Sequence, residues 1–272
     1  MKNLSPVART ALIVGAFLVL GAGVSERDDG EVPKTSQATH EFTLALLKDS
    51  VTVKNAPANI VLSAQSIFPG LAMSYIASAG ETRAELVRVC RFPDDNQQLL
   101  ADLAGIRRQL EATAEHRRLD VSMANSAWLD ETYATFRKDY LDEAQATFDA
   151  SFTPVKFVDS KRASVEINRW VAEKTHGKIQ QAVNPADFAS RIRPGVIDAP
   201  VLVTVNAVYF KADWGSRFDK LATHHLPFYV DSSTTTDARM MHQQSILPYA
   251  ENDNMKFLEI PYIDGAYSMY VL

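Results

Sequence analysis

Residues 200–214, PVLVTVNAVYFKADW, constrain the fold more than any other part of this sequence. Apolar residues stand at both parities along the run. Successive side chains of a strand point to opposite faces, so a run of this kind reads as a strand covered on both sides. It demands a sheet with a packed layer above it and another below. Thr204 and Asn206 interrupt one of its faces. A buried amide without partners costs roughly 1–3 kcal/mol, so Asn206 needs partners across the sheet or from the layer beneath. Two readings are open at this point. The strand is an ordinary one with a satisfied polar residue, or the amide is a latch in a sheet that opens.

Other elements arrange themselves around that strand. HEFTLALLKDSV places Phe42, Leu46 and Leu47 on one face of a helix. NIVLS (59–63) reads as a short strand, and Ser66 as the cap of a helix with Pro69 in its first turn. Gly80 suits the end of that helix, and Thr82 with Glu85 forms a T-x-x-E capping box for the next. Leu99, Leu103, Ile106 and Leu110 recur at spacings of four, three and four, which predicts an amphipathic helix. Residues 118–131 alternate as a strand through Val121, Met123, Ala127 and Leu129. A helix (FRKDYLDEAQATFDA) and a short strand (SFTPVKFV) follow. Residues 160–183 read as a helix with Val165, Ile167, Trp170 and Val171 inward and Gly177 as a stop. From about residue 200 strands run to Leu272, with turns at residues 231–233 and 264–265. Helices dominate the first half and strands the second, an α+β organisation rather than repeated βαβ units. With 46% hydrophobic and 22% charged residues, the chain can bury a large core.

The N-terminus divides off. Lys2 and Arg9 precede the apolar run of residues 11–24, and Gly21, Ala22 and Gly23 supply small residues. That pattern predicts a secretory signal peptide over residues 1–25, with an uncleaved anchor as the alternative. Residues 26–39 read as a flexible lead-in, and residues 40–272 as the folded domain. Export makes the protein secreted, or periplasmic in a bacterium, with no stable membrane association once the signal is removed.

Catalytic patterns are missing from the sequence. It has no G-x-S-x-G, H-E-x-x-H, P-loop or G-x-G-x-x-G, so no catalytic residue and no enzyme activity is expected. His224 and His225 are adjacent and would point to opposite faces of a strand, so they do not share a metal. No metal site and no cofactor is expected. Cys90 lacks a disulfide partner and reads as a buried structural thiol. Arg107, Arg108, Arg117 and Arg118 form either a basic patch or a solvated helix face. The net charge of -5, from 28 basic and 33 acidic residues, argues against nucleic acid as a partner.

Several blocks resemble the serpins, the serine protease inhibitor family. NAVYFKADWGSRF (206–218) is similar to the signature of that family. NIVLSAQSIFPGLAMSYIASAGETRAEL (59–86) resembles its core strand and buried helix, and INRWVAEKTHGKIQQAV (167–183) the helix across its main sheet. ARMMHQQ (238–244) and FLEIPYIDGAYSMYVL (257–272) resemble later strands, all in the order of the family. The resemblance implies helices packed around a large mixed sheet, with smaller sheets beside it. It also implies inhibition by a suicide-substrate route. A serine or cysteine protease attacks an exposed loop, and the cleaved loop inserts into the main sheet as a new strand. The partner implied is a target protease, held by a monomeric inhibitor. By position, Ser63, Ser66 and Asn206 match the polar shutter that governs sheet opening. Trp214 matches the tryptophan where loop entry begins, and Trp170 the aromatic of the overlying helix. Ala64 stands where the family usually has proline. The match leaves the reactive loop and the last strands beyond Leu272, so the chain reads as C-terminally truncated and inactive by itself. The alternatives are a non-inhibitory member (a carrier, storage or chaperone-like protein) and a non-functional truncated product.

Overall fold

The structure is a computed structural model that describes residues 34–52, 62–93, 95–116, 119–132, 135–188, 200–230, 233–265 and 267–272. The signal-peptide region, residues 26–33 of the lead-in, most of the 59–63 strand, Arg117 and Arg118 lie outside them. The chain divides into two compact units. The first takes in residues 34–116 and 120–211, and the second takes in Leu119 and residues 212–272.

The first unit begins with four helices: α1 (Lys34–Thr52), α2 (Ala64–Ile76), α3 (Gly80–Cys90) and α4 (Asn96–His116). Helix α1 starts six residues before His40, so residues 34–39 are helical rather than a flexible lead-in. Thr35 and Ala38 are buried, and the Thr35 hydroxyl donates to Asp102 at 2.6 Å, which anchors this first turn to α4. Helix α2 starts before Ser66. The Ser63 carbonyl accepts from the Ser66 and Ile67 amides, so the first turn closes on Ser63 and Pro69 lies inside the helix. Leu62 and Ser63 are not in a strand. The T-x-x-E box does not form either, because Ala79 is the residue at the start of α3. Gly80 has φ +57, a left-handed conformation that suits glycine. Arg83 does what a cap would do for the end of α2. It donates to the carbonyls of Tyr75 and Ser78, and its guanidinium lies 4.0 Å from the centre of the Tyr75 ring.

Phe42, Phe68, Met73, Tyr75, Phe92, Leu99 and Leu103 fill the core between these helices. Cys90 is fully buried among them, and burial pushes its thiol up to about 11. Arg107 is not a solvated helix residue: it bonds Glu111 and reaches the Thr147 carbonyl at 3.3 Å.

Strand β1 (Asp120–Asp130) is the middle of a mixed three-stranded sheet. It pairs in parallel with β2 (Ser151–Val155) and antiparallel with β3 (Leu202–Lys211), which lies within the apolar run 200–214. Helix α5 (Lys138–Phe148) links β1 to β2, and α6 (Ser160–Lys174) follows β2. The even-numbered side chains of β3 face α2, where Thr204 meets Ser74. Its odd-numbered side chains, Val203 and Val205, pack against a cluster that includes Ile167, Trp170 and Val171 of α6. Both faces of β3 are therefore covered, as its sequence demands. Helix α6 ends at Lys174 rather than near residue 183. His176 and Gly177 turn left-handed, and Asn168 holds the returning chain by bonding the backbone of Ala182 and Val183. Val165 is 64% exposed, because the buried stripe of α6 runs through Ala163, Ile167 and Val171.

The second unit contains a hairpin of β4 (His224–Tyr229) and β5 (Thr235–Met240). It also contains an antiparallel sheet of β6 (Tyr249–Asn252), β7 (Met255–Pro261) and β8 (Ser268–Val271), in that order. Ile260, Tyr267 and Ser268 are its buried residues in these strands and the turn before β8. Gly265, at φ +67, serves the turn into β8 as the sequence indicates. Among the described residues no helix is long and apolar enough to cross a membrane.

Candidate functional site

Asn206 and Asn125 stand directly opposite each other in the register of β3 and β1. Paired residues of an antiparallel ladder project to the same face. The Asn206 amide nitrogen accordingly donates to the Asn125 side-chain oxygen at 2.6 Å, and the Asn125 nitrogen donates to the Phe148 carbonyl at 2.8 Å. This chain of bonds runs from β3 through β1 to the end of α5. Asn125 is buried, and the Asn206 side-chain oxygen is buried without a partner among the described residues.

One turn of strand away, the Thr204 hydroxyl donates to the Gly70 carbonyl at 3.3 Å and lies 3.4 Å from the Ser74 hydroxyl. Gly70 and Ser74 are four apart, so they share the face of α2 that meets the sheet. Ser66 lies one turn earlier on that same face and is half-buried. Ser63 precedes the helix, is exposed and makes no side-chain cap bond. Neither serine bonds Asn206 among the described residues. The observed polar partners of the Thr204 and Asn206 side chains are thus Asn125, Ser74 and the backbone of Gly70. Asn125 went unnoticed in the sequence, although it left a signal there. It falls at the same parity as Val121, Met123, Ala127 and Leu129, where the alternation calls for an apolar side chain.

On the opposite face of the sheet the Ser126 hydroxyl accepts from the Trp128 indole at 2.9 Å, and the buried Asp130 carboxylate accepts from the Phe157 amide at 3.0 Å. Trp170 is half-buried there, packed on the cluster of Trp128, Val155, Phe157 and Ile167. Trp214 belongs to the second unit. Its ring stacks on Tyr262 at 4.5 Å and meets the edge of Phe218 at 5.7 Å. Gly215 allows this: a Cβ there would come within 3.2 Å of the Pro261 and Tyr262 carbonyls. On its outer edge, away from β1, β3 pairs with no strand among the described residues.

A two-sided strand held by a polar pair, an overlying helix with its tryptophan, and separate smaller sheets define a sheet-centred α+β protein. The family model described as Serpin (serine protease inhibitor) matches residues 37–272, and the chain belongs to the serpin family. Antichymotrypsin-2 of Bombyx mori is 34% identical over 229 residues, covering 81% of this chain and 56% of that protein. Leukocyte elastase inhibitor of Xenopus laevis is 30% identical over 247 residues, covering 88% of this chain and 60% of its own. Among solved structures, emu ovalbumin (Dromaius novaehollandiae) matches with a TM-score of 0.74 at 25% identity, over 88% of this chain and 63% of that one. Serpin-12 of Manduca sexta matches with a TM-score of 0.71 at 24% identity, over 88% and 62%, and shows the shared fold. The chain spans 56% and 60% of the length of the two inhibitors it matches here.

Proposed function

We propose that this chain is the sheet-bearing part of a secreted inhibitor of serine-type endopeptidases, with cysteine-type enzymes as a second target class. The observation that carries the reading is the match of residues 37–272 to the serine protease inhibitor family model, in a fold whose strand β3 is covered on both faces and tied to β1 through the Asn206–Asn125 bond. An unpaired edge accepts an added strand through main-chain hydrogen bonds. The Asn206–Asn125 pair and the ladder to β1 hold β3 in register while a strand adds at its other edge. Matches to proteins named antichymotrypsin and elastase inhibitor support the same reading.

In the proposed action the protease serine attacks the carbonyl carbon of one peptide bond in an exposed loop. The new amine leaves and an ester links enzyme to inhibitor. The freed loop then adds to the sheet beside β3 before water cleaves the ester. Ser63 and Ser66 would act with Asn206 as the shutter, Trp214 would mark the point of loop entry, and Trp170 would hold α6 on the sheet. The bait lies in the part of the complete protein beyond these residues, and the inhibitor acts as a monomer exported by the 1–25 signal.

Incubation of the complete protein, recovered from the medium, with trypsin-like, chymotrypsin-like and subtilisin-like proteases tests this. The expected result is a band that survives boiling in detergent at the summed mass of inhibitor and protease, and residues 1–272 alone should give none. Cleavage without any such band would overturn the proposal in favour of a non-inhibitory carrier or storage role.

A further inference from the structure

We infer that His224 and His242 form a two-histidine site for a borderline divalent transition-metal ion, copper(II) or zinc(II), at the open end of the β4–β5 hairpin. His224 is the first residue of β4 and pairs with Met240, the last residue of β5. His242 follows two residues later and turns back toward His224. The two ring centroids are 6.2 Å apart with the planes tilted by 45°. Both residues are exposed, so their nitrogen lone pairs are open to an ion from water. With metal–nitrogen bonds of about 2.0–2.1 Å, two imidazoles bridged by one ion have centroids about 5–6 Å apart. A small rotation of either exposed ring closes the difference.

Imidazole is a ligand of choice for copper and zinc. Met240, directly opposite His224 in register, projects from the same face of the hairpin, and a thioether there adds a soft donor. Among the described residues no cluster of three His, Cys, Asp or Glu forms, so water would complete the coordination shell and the site would stay open. His225 cannot share in it. It projects from the other face of β4, where its Nδ1 lies 2.6 Å from the Asp237 carboxylate. The pair that faces one another is therefore set by the hairpin and not by adjacency in sequence. An ion held by His224 and His242 would tie the start of β4 to the chain leaving β5, closing the end of the hairpin opposite its turn.

Calorimetric titration of the 272-residue chain with zinc chloride, then copper chloride, tests the site in the wild type and in H224Q, H242Q and H225Q. One ion is expected to bind per chain in the wild type and in H225Q. Affinity should fall about tenfold or more in H224Q and in H242Q, since removing even a supporting group of a metal site costs 10–100-fold. The thermal midpoint of the wild type should rise with zinc and return on adding a chelator, and that rise should be lost in H224Q and H242Q. Absence of binding to the wild type, or binding unchanged in H224Q and H242Q, would overturn the inference. So would binding removed by H225Q alone.

Discussion

Asn125 holds two neighbours at once, and that gives it more weight than Asn206. Its nitrogen serves the Phe148 carbonyl and its oxygen serves Asn206. Truncating it leaves both groups short of a partner in a buried place. Asn125→Ala is expected to destabilise the protein by about 1–3 kcal/mol, and Asn206→Ala by less, since the Asn206 oxygen already lacks a partner among the described residues. In a double-mutant cycle read by denaturant unfolding, the two changes should couple by about 0.5–3 kcal/mol. Strict additivity would show that the amides do not act as a pair. Asn206 was legible in the sequence because it interrupts a strand that is otherwise apolar on both faces. Asn125 was harder to see because polar Ser122 and Ser126 surround it, and only the parity of β1 marks it as inward.

At the scale of the element, α6 shows which parts of a helix a sequence makes plain. Ile167 and Val171 lie on its buried stripe, as their spacing indicates, whereas Val165 points to solvent. A β-branched residue one position off the stripe looks the same in a short window. Ile167→Ala should therefore cost about 2–5 kcal/mol. Val165→Ala should stay within about 0.5 kcal/mol, as surface changes do. The Asp159 side chain accepts from the Arg162 amide at 3.2 Å and caps the helix, so Asp159→Ala should cost about 0.5–2 kcal/mol. Thermal unfolding of the three variants checks the order, and a Val165→Ala loss as large as that of Ile167→Ala would contradict it. Helix ends were the least legible feature. The sequence pointed to Ser66 and to Thr82 with Glu85 as caps of helix starts, but α2 follows Ser63 and α3 follows Ala79, neither with a side-chain cap bond, and the end of α2 is met by the Arg83 guanidinium, a contact no local pattern encodes. The end of α6 was missed for the same reason, since Asn168 ties down a returning chain that reads as helix.

On the scale of the whole molecule, the family and the α+β organisation were visible because they rest on long features. These are the two-sided strand β3, the helix that covers it and the order of the blocks from residue 37 onward. How the sheet is used depends on its edge. β3 gives one edge to β1 over ten paired positions, Leu202 to Lys211. The account holds that a cleaved loop takes the other edge. Hydrogen exchange of the β3 amides, in the complete protein before and after a protease cuts its loop, reads that event directly. The amides of Leu202–Lys211 that point away from β1 should exchange markedly more slowly after cleavage, while those bonded to β1 stay as they were. A loop that is cut while exchange along both edges of β3 stays unchanged would contradict the account.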